Sequence, residues 1–446
     1  SKNDPYAEGD ISQFGALTTA LAATIGTGNI VGVATGLLCG GPGAIFWMWL
    51  TGVFGIATKY SETYISMKYR VKDANGRMLG GAMYALERGF KHKGLGKFLA
   101  VLFALFTAIA SFGIGASVQS NSLAGALTSS SLIPGASEIP TWLIGIVVTV
   151  LVAIVIIGGL KKVSKVCEKL VPIMAIFYVV CCLVIIGMNG AYLWDAIVTI
   201  ITCAFTGQAA FGGAVGSGIM LALQYGFKRG LFSNESGLGS APLVAASAIS
   251  KNPARQALVS MSGTFWDTVV ICLITGLMLV TSLLANPDLA AIYNNTVLAS
   301  NNLSVDAAVG IFSGGAALAT ACFESIPVLG PLVLVVGLLC FTYSTMLGWS
   351  QYGDRAITYL FGTKGIRPYQ VAFLLFVFWG CIGGGDLVWN LSDISNALMA
   401  VPNCIAVLVL SGVIAKGTKY WIYEGRLEEE DTTPIPTVGT VDHPNV

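Results

Sequence analysis

The sequence predicts an all-α polytopic membrane protein with ten spans in two sets of five. Three observations lead there. Hydrophobic residues make up 55% of the 446-residue chain and charged residues only 11%, against about a quarter charged in ordinary globular domains. Apolar runs of about 18 residues or more, the length a helix needs to cross a bilayer, recur along the whole chain. Lys and Arg, finally, fall on alternate connections between those runs.

Taken in order, span one covers 11–40 and is interrupted at "GTGN", Gly26 to Asn29. Glycine inside a helix costs roughly 1 kcal/mol relative to alanine, so the interruption calls for a reason. Span two, 42–67, is followed by "KYRVKDANGRMLGGAMYALERGFKHKGLGK", turn residues and a short amphipathic helix suited to the membrane interface. Span three, 98–127, carries "ASVQSNS"; spans four and five, 140–160 and 170–189, are joined by the basic loop "LKKVSKVCEK". A connector at 190–206 leads to span six, 207–226, which reads "GQAAFGGAVGSGIM" and runs on into "FKRGLFSNESGLGSAP". Span seven, 256–285, precedes a long polar segment, 286–329, with the character of a lid. Spans eight to ten cover 330–353, 368–385 and 388–415, with Pro402 placed to kink the last. Residues 1–10 form a short N-terminal segment, and 416–446 an acidic, Pro-containing tail expected to be disordered.

With the N-terminus inside, all 24 Lys and Arg residues fall in cytoplasmic loops, helix ends or tails, and 128–139, 190–206 and 286–329 contain none. Retained positive charge sets orientation, so both termini are expected in the cytoplasm of a cell-membrane protein. The two sets, 11–189 and 207–415, then begin on opposite sides of the membrane. Their symmetry is topological only, because the halves share essentially no residue-level identity. Glycine-interrupted segments at corresponding positions of two halves point to the binding site of a secondary transporter. Span one breaks at Gly26 to Asn29, and span six offers Gly212, Gly213, Gly216 and Gly218.

Unwinding a helix inside a bilayer exposes backbone groups that water cannot satisfy, so protein or ligand must complete them. The half-helix starting near Asn29 presents N–H groups and a positive dipole end suited to a carboxylate. The half ending near Ile25 presents carbonyls suited to Na⁺. A zwitterionic amino acid with a co-transported cation satisfies both. The alternative is close helix packing, and Gly28, Gly32 and Gly36 have that spacing. Packing accounts for the last two but not for Thr27 and Asn29.

"GTGNIVGVATGLLCGGPGAIFWMW", "GFKRGLFSNESGLGSAP" and "WNLSDISNALMAVPN" together resemble the alanine or glycine:cation symporter family from about Asp10 to Lys416. One departure stands out: the family pattern carries a further hydrophobic segment ahead of "EGDISQFGAL", which points to an incomplete N-terminus or a dispensable first helix. The resemblance implies a LeuT-like five-plus-five inverted repeat with broken first and sixth helices. It also implies that the amides of Thr27 and Gly28 hold the substrate carboxylate, and that carbonyls of Ala22 and Ile25 contribute to a sodium site. The remaining ion ligands are expected from span eight, where "CFTYSTMLGW" offers Ser344 and Thr345. Oxygen-only ligation suits a hard cation, while hydroxyls in membrane helices also commonly bond back to the preceding turn.

Gln119 is the candidate for the substrate's polar groups, and Asn121 points elsewhere as helix glue. Phe211, just before Gly212 and Gly213, is placed to close over the substrate from outside, with packing as the alternative. Asp267 in "TFWDTVV" is the deepest carboxylate, open to proton coupling, to a second cation or to pairing with Lys. Glu62 beside Lys59 reads as an interfacial ion pair. Asp393 and Asn396 share a helical face, and Arg229, Asn234 and Glu235 are candidates for an inner gate.

The expected function is import of a small neutral amino acid, alanine or glycine, with Na⁺ by alternating access. A proton-coupled transporter of another small solute, or an ion channel, is the alternative. The only histidines, His92 and His443, lie outside the spans, and no nucleotide-binding glycine loop or nucleophile–base pair is visible, so an enzyme or an ATP-driven pump is not expected. No filter motif or charged ring supports a channel. Most of the ten cysteines lie inside spans and read as small apolar residues. Beyond substrate, Na⁺ and the bilayer no partner is inferred; the basic patches follow topology, not nucleic acid.

Overall fold

Ser12 starts the first helix: its Oγ accepts the Gly15 N–H at 2.8 Å, a side-chain cap for an otherwise orphaned donor. The computed structural model describes residues 7–438 other than 131, 208–209, 212, 214–217 and 384, and only the backbone of 385–387 and 391. Helix α1 (Gln13–Thr24) stops at Ile25, which is extended at φ −77°, ψ 91°. A single 3₁₀ turn, Thr27–Asn29, leads into α2 (Val31–Gly40). The first span is therefore broken where the glycines stand.

Helix α3 (Gly43–Lys68) leads into a small antiparallel hairpin, β1 (Val71–Lys72) with β2 (Met78–Leu79), and then α4 (Ala82–Gly89). Helices α5 (Lys93–Ala110) and α6 (Val118–Thr128) form one 36-residue rod through a π-helical turn at Ser111–Ser117. After α7 (Thr141–Ile156), α8 (Gly159–Met188) begins almost at once. The expected basic loop "LKKVSKVCEK" is thus the first turns of α8. The connector expected at 190–206 is also helical, α9 (Leu193–Thr206), and it lies against α3, where Trp47 Nε1 donates to the Ala204 carbonyl at 3.2 Å.

Helix α10 (Gly218–Asn234) ends in a non-helical stretch, 235–241, before the short α11 (Pro242–Ala245). Helices α12 (Pro253–Thr264) and α13 (Leu273–Ala285) join through a π-helical turn at Phe265–Cys272. The lid contributes α14 (Pro287–Ser300) and α15 (Gly315–Glu324). Then come α16 (Leu329–Phe361), α17 (Ile366–Ile382), α18 (Gly385–Val409) and α19 (Ser411–Thr418). Among the described residues, six helices are long and apolar enough to cross a membrane by themselves. Their burial is uneven: α16 is the packed centre, whereas α8 exposes Ile173, Ile176, Val180 and Leu183 along one side. Such a stripe, too large for a water-facing surface, fits acyl chains.

At one end of the bundle, the basic face, the chain before α1 is sewn to the segment after α11. Asp10 N–H donates to the Ser247 carbonyl at 2.8 Å and Ile249 N–H to the Ile11 carbonyl at 2.8 Å. The opposite end is the lid face.

The tail departs from expectation, because its described part is docked. Lys72 N–H donates to the Pro436 carbonyl and Val438 N–H to the Lys72 carbonyl, at 2.9 and 2.8 Å, a single parallel bridge on the hairpin edge. Glu428 meets Arg255 at 2.6 Å, and Asn252 Nδ2 holds the Leu427 and Glu429 carbonyls. Arg255, then Lys251, hold the Glu428 carboxyl below its ordinary 4.5. A lowered carboxylate contributes its share above the ordinary value and loses it as pH falls through the lowered one. A fluorophore at Thr433 should therefore keep its anisotropy from neutral pH down to 4.5 and lose part of it below; Arg255→Ala should lower it already at neutral pH, with the Asn252 and Lys72 bonds still in place.

Candidate functional site

The break in the first span is fully enclosed: Thr27 and Asn29 have no exposed surface and Ile25 almost none. Asn29 shapes it locally, its Oδ1 accepting the Gly26 N–H at 2.9 Å. Across from it, Gln119 of α6 accepts the Thr27 N–H on Oε1 at 3.2 Å and donates from Nε2 to the Ile114 carbonyl at 2.9 Å. That carbonyl belongs to the π-helical turn, whose extra residue re-aims the helix towards the break. An amide oxygen thus occupies the position where a carboxylate oxygen is expected. Thr27 Oγ1 is buried and has no hydrogen-bond partner among the described residues, an unmet need that a ligand can meet.

On the other side of the break, Thr345 Oγ1 of α16 donates to the Ile25 carbonyl at 3.2 Å. Ala22 is buried one turn earlier, and Gly348 packs directly on Ala23. The structure thus brings Ile25 and Thr345 together. Ser344 is turned away, donating to the Phe341 carbonyl at 3.0 Å and lying 3.5 Å from Met174 Sδ.

A second polar cluster adjoins the same turn. Asp267, buried in the π-helical turn before α13, accepts from Asn29 Nδ2 at 2.7 Å, Ser233 Oγ at 3.0 Å and Thr268 Oγ1 at 2.6 Å. No Lys or Arg among the described residues lies within ion-pair distance of it. Among the described residues no group of three His, Cys, Asp or Glu is placed to hold a metal. Carbonyl, hydroxyl and carboxylate oxygens are what the site offers, the ligand set of a hard cation.

The second break lies later than the sequence suggested. Phe232 and Ser233, at the end of α10, are the residues that face Gly28. The chain then unwinds over 235–241, at the level of the first break. Glu235, expected at an inner gate, is buried here, accepting from Trp349 Nε1 at 2.8 Å and from Ser240 Oγ, while Lys59 Nζ donates to its backbone carbonyl at 3.1 Å. Glu62 does not pair with Lys59; its Oε1 accepts from Asn403 Nδ2 at 2.6 Å and Gly237 N–H at 2.7 Å. Both side chains are buried rather than interfacial. Phe211 and Gly213 face α14 instead: the Phe211 ring meets Tyr293 edge-on at 5.0 Å, and Asn294 Nδ2 donates to its carbonyl at 2.8 Å. Gly212 and Gly216 lie outside the described residues.

Arg229, one turn before Ser233, stacks over the Trp389 ring at 5.2 Å and lies 3.9 Å from Asp393, which also pairs with Lys228 at 2.8 Å. Asn121 Nδ2 donates to the Gly380 and Gly383 carbonyls, tying α6 to α17. Ser233, Thr268 and Trp349 were missed. Only the first two left a signal, as small hydroxyls within one turn of a break and of an intramembrane acid.

A model of the sodium:alanine symporter family matches residues 1–434. The sodium/alanine symporter AgcS of Methanococcus maripaludis is 49% identical over 417 residues, covering 93% of this chain and 85% of its own. The probable sodium/glutamine symporter GlnT of Bacillus subtilis is 34% identical over 412 residues, 92% of this chain and 78% of its own. Among solved structures, MhsT in complex with L-phenylalanine has a TM-score of 0.54 at 14% identity, covering 90% of this chain and 89% of its own. At that identity the likeness is one of fold: the LeuT-type arrangement.

Proposed function

The chain belongs to the sodium:alanine symporter family, and on that premise we propose that it imports alanine or glycine with Na⁺ by alternating access. It is a transporter, not an enzyme. The observation that carries the substrate reading is the enclosed turn Thr27–Asn29, with an unpartnered Thr27 hydroxyl and a Thr27 amide held by Gln119. The substrate carboxylate takes over the amides of Thr27 and Gly28 as Gln119 yields its place to it. Asn29 stays bound to the turn and to Asp267. Na⁺ sits at the broken end of α1, on the carbonyls of Ala22 and Ile25 and the hydroxyl of Thr345. Ser344 joins by rotating about χ1, one torsion away from its present bond. A second cation is held by Asp267, Ser233 and Thr268, beside the bound carboxylate.

The basic face is the cytoplasmic one, so residues 1–10 and 416–446 are cytoplasmic. The five-span sets 11–189 and 207–415 move against each other around the paired breaks, with 190–206 and 286–329 outside. Phe211 and Gly213 act at the lid, through Tyr293 and Asn294, when the outer side closes.

The test is uptake of labelled alanine and glycine into proteoliposomes, with and without an inward Na⁺ gradient, repeated with Ser344→Ala/Thr345→Ala. Na⁺-driven uptake that disappears in the double variant is the expected result. Uptake that survives moves the ion away from α16; uptake driven only by a proton gradient removes the sodium site altogether.

A further inference from the structure

A cavity of about 690 Å³ opens at the basic face, apart from the enclosed turn. Its wall is drawn from the N-terminal segment (Asp10), the hairpin tip (Arg77), the start of α8 (Lys161), the inner end of α16 (Asp354, Arg355) and the start of α17 (Arg367, Gln370). The size is within the range of small-molecule sites. Two of its charged side chains, Asp354 and Arg355, are more than nine-tenths buried, at 7% and 8% exposure.

The charges in this wall are unevenly committed. Asp10 Oδ2 accepts the Met78 N–H at 3.0 Å and lies 3.9 Å from Arg355, whose guanidinium also donates to Ser247 Oγ at 3.0 Å. Burial raises the Asp10 carboxyl above its ordinary 3.8, and Arg355 draws it back. Asp354 differs. Its Oδ2 accepts from Gln370 Nε2 at 2.8 Å, but its buried Oδ1 has no partner among the described residues. An orphaned carboxylate oxygen in a polar cavity calls for a donor, and an ammonium is the strongest one available. Gln370 links this acid to a base: its Oε1 lies 3.4 Å from Arg367 Nη1. An uncommitted acid and an exposed guanidinium therefore stand on either side of one amide, with Arg77 and Lys161 beyond. That is the charge pattern of a zwitterion's complement. The wall carries four basic side chains, Arg77, Lys161, Arg355 and Arg367, and two acidic ones, so it attracts a carboxylate, and the orphaned Asp354 oxygen adds the need for an ammonium.

We propose that this cavity is a second amino-acid site at the basic face, with Asp354 receiving the ammonium group and Arg367 and Arg77 the carboxylate. It rests on the transport reading only in taking an amino acid as the molecule delivered to this face. The volume leaves room for a side chain larger than a methyl, so the site is broader in selectivity than the enclosed turn.

The test is calorimetric titration of the purified full chain with L-alanine, with Na⁺ and with Na⁺ replaced by N-methylglucamine. A binding event that persists without Na⁺, and weakens at least tenfold in both Asp354→Asn and Arg367→Gln, is the expected result. Both variants should keep the Na⁺-dependent event, which shows that they are folded. No Na⁺-independent event, or one unchanged in both variants, overturns the proposal. So does an equally tight Na⁺-independent event when acetate or inorganic phosphate is titrated in place of alanine, which would make it an anion site. If instead the Na⁺-dependent event is missing while the other remains, the transport reading fails and the cavity site stands.

Discussion

Asp267→Asn should raise the Na⁺ concentration for half-maximal alanine uptake roughly tenfold or more, about 1.4 kcal/mol of lost ion stabilisation. The carboxylate is fully buried and receives three donors, from Asn29, Ser233 and Thr268. A cation placed among those oxygens has Asp267 as its fixed negative charge. In a low-dielectric interior that attraction is worth several times its value in water. The amide is nearly the same shape, so the variant removes charge with little change of packing. Asp267→Ala is the harsher change, leaving buried donors without an acceptor at about 1–3 kcal/mol each. It should lower the melting temperature in detergent, whereas Asp267→Asn should lower it little. Unchanged Na⁺ dependence in Asp267→Asn would reduce the cluster to a structural brace for Asn29.

What the sequence made legible divides along a physical line. The first break was readable because "GTGN" interrupts an otherwise unbroken apolar run, and the structure unwinds there. The second was misplaced. Its residues, "NESGLGS", follow Lys228 and Arg229 and carry a glutamate, the signature of a water-exposed connection. The chain instead buries Arg229 and Glu235, each against partners of its own, and leaves Lys228 exposed. Glu235 takes donors from Trp349 and Ser240, Arg229 stacks on Trp389, and Lys59 binds the Glu235 carbonyl. Ser240 apart, those partners come from α3, α16 and α18, far from Glu235 and Arg229 in sequence, so no local pattern announces them. Of the glycines at 212–218, which drew attention instead, Gly218 opens α10 and Gly213 faces Asn294, while Gly212 and Gly216 lie outside the described residues. Short helices failed for a related reason. The segment 193–206 is helical because α3 covers one of its sides, and length alone gave no hint of that. Composition alone predicts a disordered tail, because it takes no account of Arg255, Lys251 and the open hairpin edge waiting for it.

Gly26→Ala should cut Na⁺-driven uptake about a hundredfold or more, the scale set by an ångström of misplacement at a site. The reason is not backbone freedom, since φ is −140° there and any residue adopts it. It is space: a Cβ at Gly26 would lie 2.5 Å from Thr345 Oγ1 and 3.1 Å from Gln119 Oε1. Those atoms hold the two faces of the break, one on the Ile25 carbonyl and the other on the Thr27 amide. One methyl group therefore disturbs the ion position and the carboxylate position together. Gly32→Ala is the internal control, because among the described residues its Cβ would meet only the Thr27 carbonyl, at an ordinary 3.8 Å. The glycine spacing predicts close helix packing at Gly32, and among the described residues no such contact is present. Uptake in Gly32→Ala should stay within about twofold of wild type, and helix propensity favours the alanine by about 1 kcal/mol. If both variants lose transport equally, the glycines serve the movement of the first span as a whole. If only Gly26→Ala does, the site sits between Thr345 and Gln119.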